Sequence, residues 1–319
     1  MKNRKIKLLI CITLVFITLT SATNAINLNL KKNSNNNLKI CSIEDDVPVW
    51  KIGETWTFIV NTIDQISPSG HLQISIGDLP LKVTADTGLS YNVEFKANFN
   101  GFYETPQEQD PYIKAIFKNS KIEGDISFRK TDLGIEEINI KLSGGLGFNI
   151  DSSSLPFPIP SIPLPYTINI NLEFDNGLAL YDFPLDINKI WNLAQTNLII
   201  NGNMHSLWLY LINFMNKIYQ FLDPEIASLL PVIDIKEALE QIMGSNIISF
   251  PEMPGFFVCL NKETRTVAAG SFQAYNISLL GVGNIYYAPE IGNFIEISLS
   301  TFKMELKKHA ISSDTNYKE

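Results

Sequence analysis

Cysteine and histidine are both scarce in this 319-residue chain, with three of each. His71, His205 and His309 lie far apart, and no zinc-type spacing joins them to the cysteines. The pattern therefore offers no metal-ligand set. Other chemical signatures are also missing. No G-x-S-x-G turn presents a serine nucleophile, and no H-E-x-x-H motif, phosphate loop or calcium loop occurs. The glycine-rich SGGLGF (143–148) lacks the lysine of a phosphate loop and is expected to be a flexible turn. Neighbouring carboxylates such as Glu136/Glu137 and Asp45/Asp46 would point to opposite faces of a strand, which makes solvated positions their default. Two acids brought together by folding would leave no motif, yet nothing positive supports an enzyme. No catalytic residue, metal or cofactor is assigned.

Positive charge is short as well. Lys2, Arg4, Lys5 and Lys7 sit in the first 25 residues, and without that segment 21 Lys and Arg face 33 Asp and Glu, a net charge of −12. Such a chain should not bind nucleic acid or anionic lipid by electrostatics. A solvated acidic surface accounts for the charge.

The N-terminal apolar run LLICITLVFITLT, from Leu8 to Thr20, holds 13 residues, short of the roughly 20 that span a bilayer. It follows the four basic residues and precedes SATNA. Residues 1–25 thus read as a secretory signal cleaved after Ala22 or Ala25, with retention as an N-terminal anchor the alternative. Ile10 before Cys11 is too bulky for a lipidation motif. The expected location is secreted or cell-surface, with no transmembrane helix in the mature chain.

Export leaves Cys41 and Cys259, which could form one disulfide. That bridge would close a loop worth at most about 5 kcal/mol. Two buried, unbridged thiols are the other reading. A single sequon, Asn276-Ile277-Ser278, permits N-glycosylation but falls in a probable strand.

What the chain does contain is alternation. After an Asn-rich leader (26–44), expected to be disordered, residues 45–306 read as a single β-rich domain, followed by a polar tail (307–319). Tyr91, Val93, Phe95, Ala97 and Phe99 alternate with polar residues, as do Ile168, Ile170, Leu172 and Phe174. Each such strand buries one face and wets the other. Similar patterns occur at 55–61, 121–129, 197–202 and 293–300, and a parity shift between Ile135 and Ile138 predicts a bulge at Glu136 and Glu137. Five prolines at 156, 158, 160, 163 and 165 exclude helix and central strand there. That segment is expected to run as an extended cover packed on the chain's own sheet, with a docking site for a partner's aromatic groove as the alternative.

A helical insertion (203–244) interrupts this pattern. From Met204 to Leu222 the polar residues gather on one arc, and the rest carries Trp208, Leu211, Phe214, Met215 and Ile218. Asp234 and Glu237 form a capping-box-like pair before a stripe of Ile235, Ala238, Leu239, Ile242 and Met243, and Gly244 suits the stop. The predicted fold is mainly β: a large curved antiparallel sheet or open barrel enclosing helices.

Several motifs carry a resemblance. Trp50-Lys-Ile-Gly-Glu-Thr-Trp56-Thr-Phe58 opens the domain, Phe183-Pro184-Leu185 leads to Trp191 with Asn188 where glycine is usual, and the close carries Ala269-Gly270-Ser271-Phe272-Gln-Ala274-Tyr275 and Tyr286-Tyr287-Ala288-Pro289-Glu290-Ile291-Gly292. Together they resemble exported proteins of the DUF3108-like group, whose fold is similar to that of the LolA and LolB lipoprotein carriers. The resemblance implies a curved sheet around helices with a hydrophobic concavity. It supplies no catalytic residues.

Two functions follow as expectations. One is a non-catalytic structural or interaction module of the cell envelope, with an envelope protein as partner. The other is a binder of lipid or another hydrophobic ligand held by Trp208, Leu211, Phe214, Met215, Ile218 and Leu239 against the sheet.

Overall fold

The computed structural model describes residues 47–67, 70–109, 112–151, 162–207, 210–211, 246–300 and 302–311. They form sixteen strands: β1 (Thr55–Val60), β2 (Ile63–Ser67), β3 (Gly70–Ile76), β4 (Leu79–Asp86), β5 (Ser90–Glu104), β6 (Tyr112–Arg129), β7 (Ile135–Asp151) and β8 (Leu164–Leu178), then β9 (Ile190–Leu193), β10 (Thr196–Ser206), β11 (Asn246–Phe250), β12 (Met253–Val267), β13 (Gly270–Leu279), β14 (Gly283–Ala288), β15 (Asn293–Leu299) and β16 (Phe302–Ala310). All belong to one antiparallel sheet in the order β11-β10-β8-β7-β6-β5-β4-β1-β16-β15-β14-β13-β12-β9, with the β2–β3 hairpin joined to β5.

The two ends of this sheet are neighbours in sequence. Only Ala194 and Gln195 separate β9 from β10, and only Pro251 and Glu252 separate β11 from β12. Two residues span little more than a single turn, so the sheet must curl until its ends meet. Side chains tie this seam: Asn192 donates to Glu252 at 2.8 Å and accepts from the Gly255 amide at 3.0 Å.

Alternation decides which face turns inward. On β5, Tyr91, Val93, Phe95, Ala97 and Phe99 are buried while Asn92, Glu94, Lys96 and Asn98 are less so. The inner row of β1, Trp56, Phe58 and Val60, meets Leu306 and Met304 of β16. Outside, polar pairs bridge the strands: Lys96 and Lys141 flank Glu123, and Asn139 and Asn171 link Asp125 to Glu137. This ladder occupies the asparagine-rich positions. On the inner face, Gly124 of β6 lies opposite Phe95, and a Cβ there would strike the Asn139 carbonyl of β7 and meet Phe95 Cζ at 2.8 Å. The missing side chain is the space that the ring fills.

The bulge stands where expected: Ile135 and Glu137 pair on either side of a register shift, and Glu136 accepts from Ser90 at 2.8 Å. Other expectations change. SGGLGF lies within β7 and is no turn. Gly144 (φ +154°) passes Ser120 so closely that a Cβ would lie 2.5 Å from its Oγ, so these glycines serve close strand approach.

The helical insertion does not begin at 203. Met204, His205 and Ser206 pair with Ile168, Thr167 and Tyr166, because β8 supplies a ladder partner that periodicity alone could not reveal. No helix is enclosed by the sheet among the described residues, and Leu207, Tyr210 and Leu211 are exposed. The proposed tail also starts too early. Lys307 to Ala310 continue β16 against β1, with His309 bonded to Glu54 at 2.9 Å and stacked on Trp56. Leu164 and Pro165 open β8, at a point beyond the last β8–β10 pair, Tyr166 with Ser206. Pro165 thus needs no N–H on that side. No helix among the described residues is long and apolar enough to cross a membrane.

Candidate functional site

The resemblance motifs meet at the end of the sheet opposite the β5–β6 and β7–β8 connections. The Trp50 indole donates to the Gly292 carbonyl at 2.8 Å and the Trp56 indole to that of Ile291 at 3.2 Å. Gly292 (φ +66°) turns the chain so that these carbonyls face the two rings. The segment between β8 and β9 then enters this end, where Tyr181 and Phe183 pack on Tyr287 at 5.2 and 5.5 Å and Trp191 stacks on Phe257 at 5.4 Å. Asn188 has φ +65°, the conformation that glycine adopts most easily, and its amide donates to the Cys259 carbonyl at 2.7 Å. These motifs build a plug. Trp56, Phe58, Tyr91, Phe257, Ile277, Tyr287, Ile295 and Leu306 are all fully buried around it.

The opposite half differs. Register places Ala115 and Phe117 of β6, Leu146 and Phe148 of β7, Ile168 of β8 and Met204 of β10 on the inward face. These side chains are apolar, buried Ser120, Tyr166 and Ser206 share the face with them, and Phe117 packs edge-on against Tyr166 at 5.8 Å. Apart from buried Leu146, the apolar members are only half-buried. The connections between β5 and β6, between β7 and β8 and between β10 and β11 leave this end.

At the same end, on the outer face, His71 sits between Asp64 (Nε2 to Oδ1, 2.7 Å) and Glu104 (Nδ1 to Oε1, 3.3 Å). Glu104 also accepts from Lys114 at 2.7 Å and Tyr112 at 2.9 Å. Hydrogen bonding to Asp64, opposed by partial burial and helped by Glu104, raises the His71 pKa above its ordinary value. The hydrogen bond from Lys114 holds the Glu104 carboxyl below its usual range. Lys114 also lies 3.9 Å from the Phe102 ring centroid. With its acids already satisfied by cations, the cluster acts as a clasp on the β2–β3 hairpin. Among the described residues no group of three His, Cys, Asp or Glu is arranged to hold a metal.

Of the residues expected to bind a hydrophobic ligand, Leu211 is exposed. Trp208, Phe214, Met215, Ile218 and Leu239 lie outside the described residues. Cys259 is fully buried on β12, and Cys41, its expected partner, also lies outside them. Asn276 lies within β13 between Asn261 and Tyr286, with its Oδ1 buried, a poor presentation for a glycan acceptor. Alternation within single strands does not show the half-buried inner row. The signal was present in the inward parity of Ile168 carried across the neighbouring strands.

Compared with family models, curated proteins and solved structures, the chain matches none. The likeness to the DUF3108-like group rests on the motifs themselves.

Proposed function

We propose that the chain is an exported, non-catalytic binder of a lipid or similar hydrophobic molecule. The observation that carries this is the group of inward apolar side chains Ala115, Phe117, Phe148, Ile168 and Met204, which stay only half-buried above a densely packed plug. Apolar side chains that stay half-buried on a concave face retain free energy to gain by contact with an apolar partner. Binding would rest on burial of area, with the polar outer ladder keeping the sheet's other face in water.

Lipid extraction of the purified protein followed by mass spectrometry, with a titration by a solvatochromic dye, tests the proposal. A copurifying hydrophobic molecule and a saturable dye site are expected, and Met204→Glu should weaken the dye by about tenfold, since it buries a charge on that face. No copurifying molecule together with no saturable site would refute it.

The second reading is a structural or interaction module of the cell envelope. The fully buried plug favours it, because Trp56, Phe58 and Tyr287 there leave no room for a ligand.

A further inference from the structure

The inward apolar side chains do not end at β6. Register carries their rows into the β2–β3 hairpin: Phe148, Ala115 and Tyr103 lead to Leu72, and Leu146, Phe117 and Gly101 lead to Ile74. Leu72 and Ile74 are buried with Ile63 and Phe99 in a small cluster apart from the main core, and Phe117 and Leu142 pack against it. The hairpin therefore forms one edge of the apolar face. Among the described strands β2 pairs with β3 alone, and β3 pairs with β5 through six residues, from Ile76–Phe99 to His71–Glu104. Beyond Ile76, the Gly77 amide donates to the Asn98 carbonyl at 2.9 Å and the chain runs on into β4. That end is anchored, so fraying starts at the His71 rung.

The same rung carries the clasp. His71 and Leu72 are successive residues of a strand, so one faces outward where the other faces in. Three strands supply the charged and titratable groups around the imidazole: Asp64 of β2, Glu104 of β5 and, bonded to Glu104, Lys114 and Tyr112 of β6. Each ring nitrogen meets a carboxylate, Nε2 that of Asp64 at 2.7 Å and Nδ1 that of Glu104 at 3.3 Å. A protonated imidazole donates from both nitrogens, whereas a neutral one donates from one and turns a lone pair on the other carboxylate. The shorter bond lies within the hairpin. The longer one ties the hairpin to β5, and it is the bond that deprotonation gives up.

We propose that the β2–β3 hairpin is a pH-sensitive flap on the edge of the apolar face: protonated His71 holds its tip to β5, and deprotonation frees the tip and uncovers Leu72. The hydrogen bond to Asp64 raises the pKa of His71 above 6.5, so the held state persists to a higher pH than an ordinary histidine would allow. Access for a hydrophobic molecule rests on the binding function proposed above. The flap itself does not.

Hydrogen exchange of the purified protein, read by mass spectrometry at about pH 5.5 and about pH 8.5 and corrected for intrinsic rates, tests the flap. Protection of the hairpin (63–76), taken relative to β13 (270–279), should fall about two- to fivefold at the higher pH, the worth of a surface ion pair. The fall should vanish in His71→Gln and shrink in Asp64→Asn. Both substitutions lie on the outer face and leave the buried cluster intact. A hairpin that exchanges in step with β13 at both pH values overturns the proposal, as does a fall that persists undiminished in His71→Gln. A bound solvatochromic dye should leave faster at the higher pH by the same factor, in the parent but not in His71→Gln. One rate at both pH values would overturn the flap's part in access. Absence of any saturable dye site would refute the binding function alone, and the exchange data would still decide the flap.

Discussion

The indole N–H of Trp50 donates to the carbonyl of Gly292 at 2.8 Å, across 242 positions of chain. Six residues on, Trp56 does the same to Ile291, so the first and last motifs of the domain are closed on each other by two side-chain bonds.

This closure should be costly to break. Trp56 is fully buried, and Trp56→Ala is expected to lose about 3–5 kcal/mol, as large aromatic deletions do. Trp50→Phe, which drops the donor and shrinks a buried ring, should lose about 2–3 kcal/mol. Urea unfolding followed by circular dichroism measures both. No measurable loss in Trp50→Phe would mean that the bond to Gly292 does not hold the ends together.

Asn188 occupies the left-handed region at φ +65°. Asn188→Gly should be neutral or stabilising by up to about 1 kcal/mol, and Asn188→Ala should destabilise by about 1 kcal/mol. Thermal unfolding of the pair decides it. A Gly variant less stable than the Ala variant would show that the asparagine side chain, and not the backbone angle, matters here.

Glu296 is 1% exposed and receives Arg265 through Nε (2.9 Å) and Nη2 (2.6 Å), while Arg265 lies 4.2 Å over the Tyr286 ring. Arg265→Ala leaves a buried carboxylate with only Lys303, at 3.7 Å, and should cost about 3 kcal/mol. Arg265→Met with Glu296→Leu should cost less than Arg265→Ala alone, because no charge is left buried. A double-mutant cycle in denaturant gives the coupling directly.

The His71 clasp should give the protein a pH-dependent margin. His71 has a folded-state pKa above 6.5, so its contribution is fully present below the unfolded value and disappears as pH rises through the folded one. Glu104, held low by Lys114 first and then by Tyr112 and His71, contributes above its unfolded value and loses that as pH falls through the folded one. His71→Gln should therefore cost more at about pH 5.5 than at about pH 8.5, by no more than about 1 kcal/mol for so exposed a pair. Urea midpoints at the two pH values check the sign, and a larger cost at the higher pH would reverse it.

Several elements were legible before any coordinates. The inward residues of β5 and β8, the limits of β1 and β15, and the bulge at Glu136 follow from strict two-residue alternation and its one slip. Asn188 could be placed at a glycine position from its motif alone. The sheet's strand order and the His71 clasp could not, because each joins residues distant in sequence.

The sequence by itself determined the class of the protein: antiparallel strands with one apolar face, an acidic surface and no recognisable catalytic motif. Alternation is a property of neighbours along the chain, so it survives without a structure. Only the tertiary structure decided that SGGLGF is strand, that β10 runs on through Ser206 and that Lys307 to Ala310 close the sheet against β1. A glycine reads as a turn until a strand is found pressed against it, and a polar end reads as a tail until a neighbour offers its free N–H and C=O groups. Whether a segment pairs depends on what lies beside it in space.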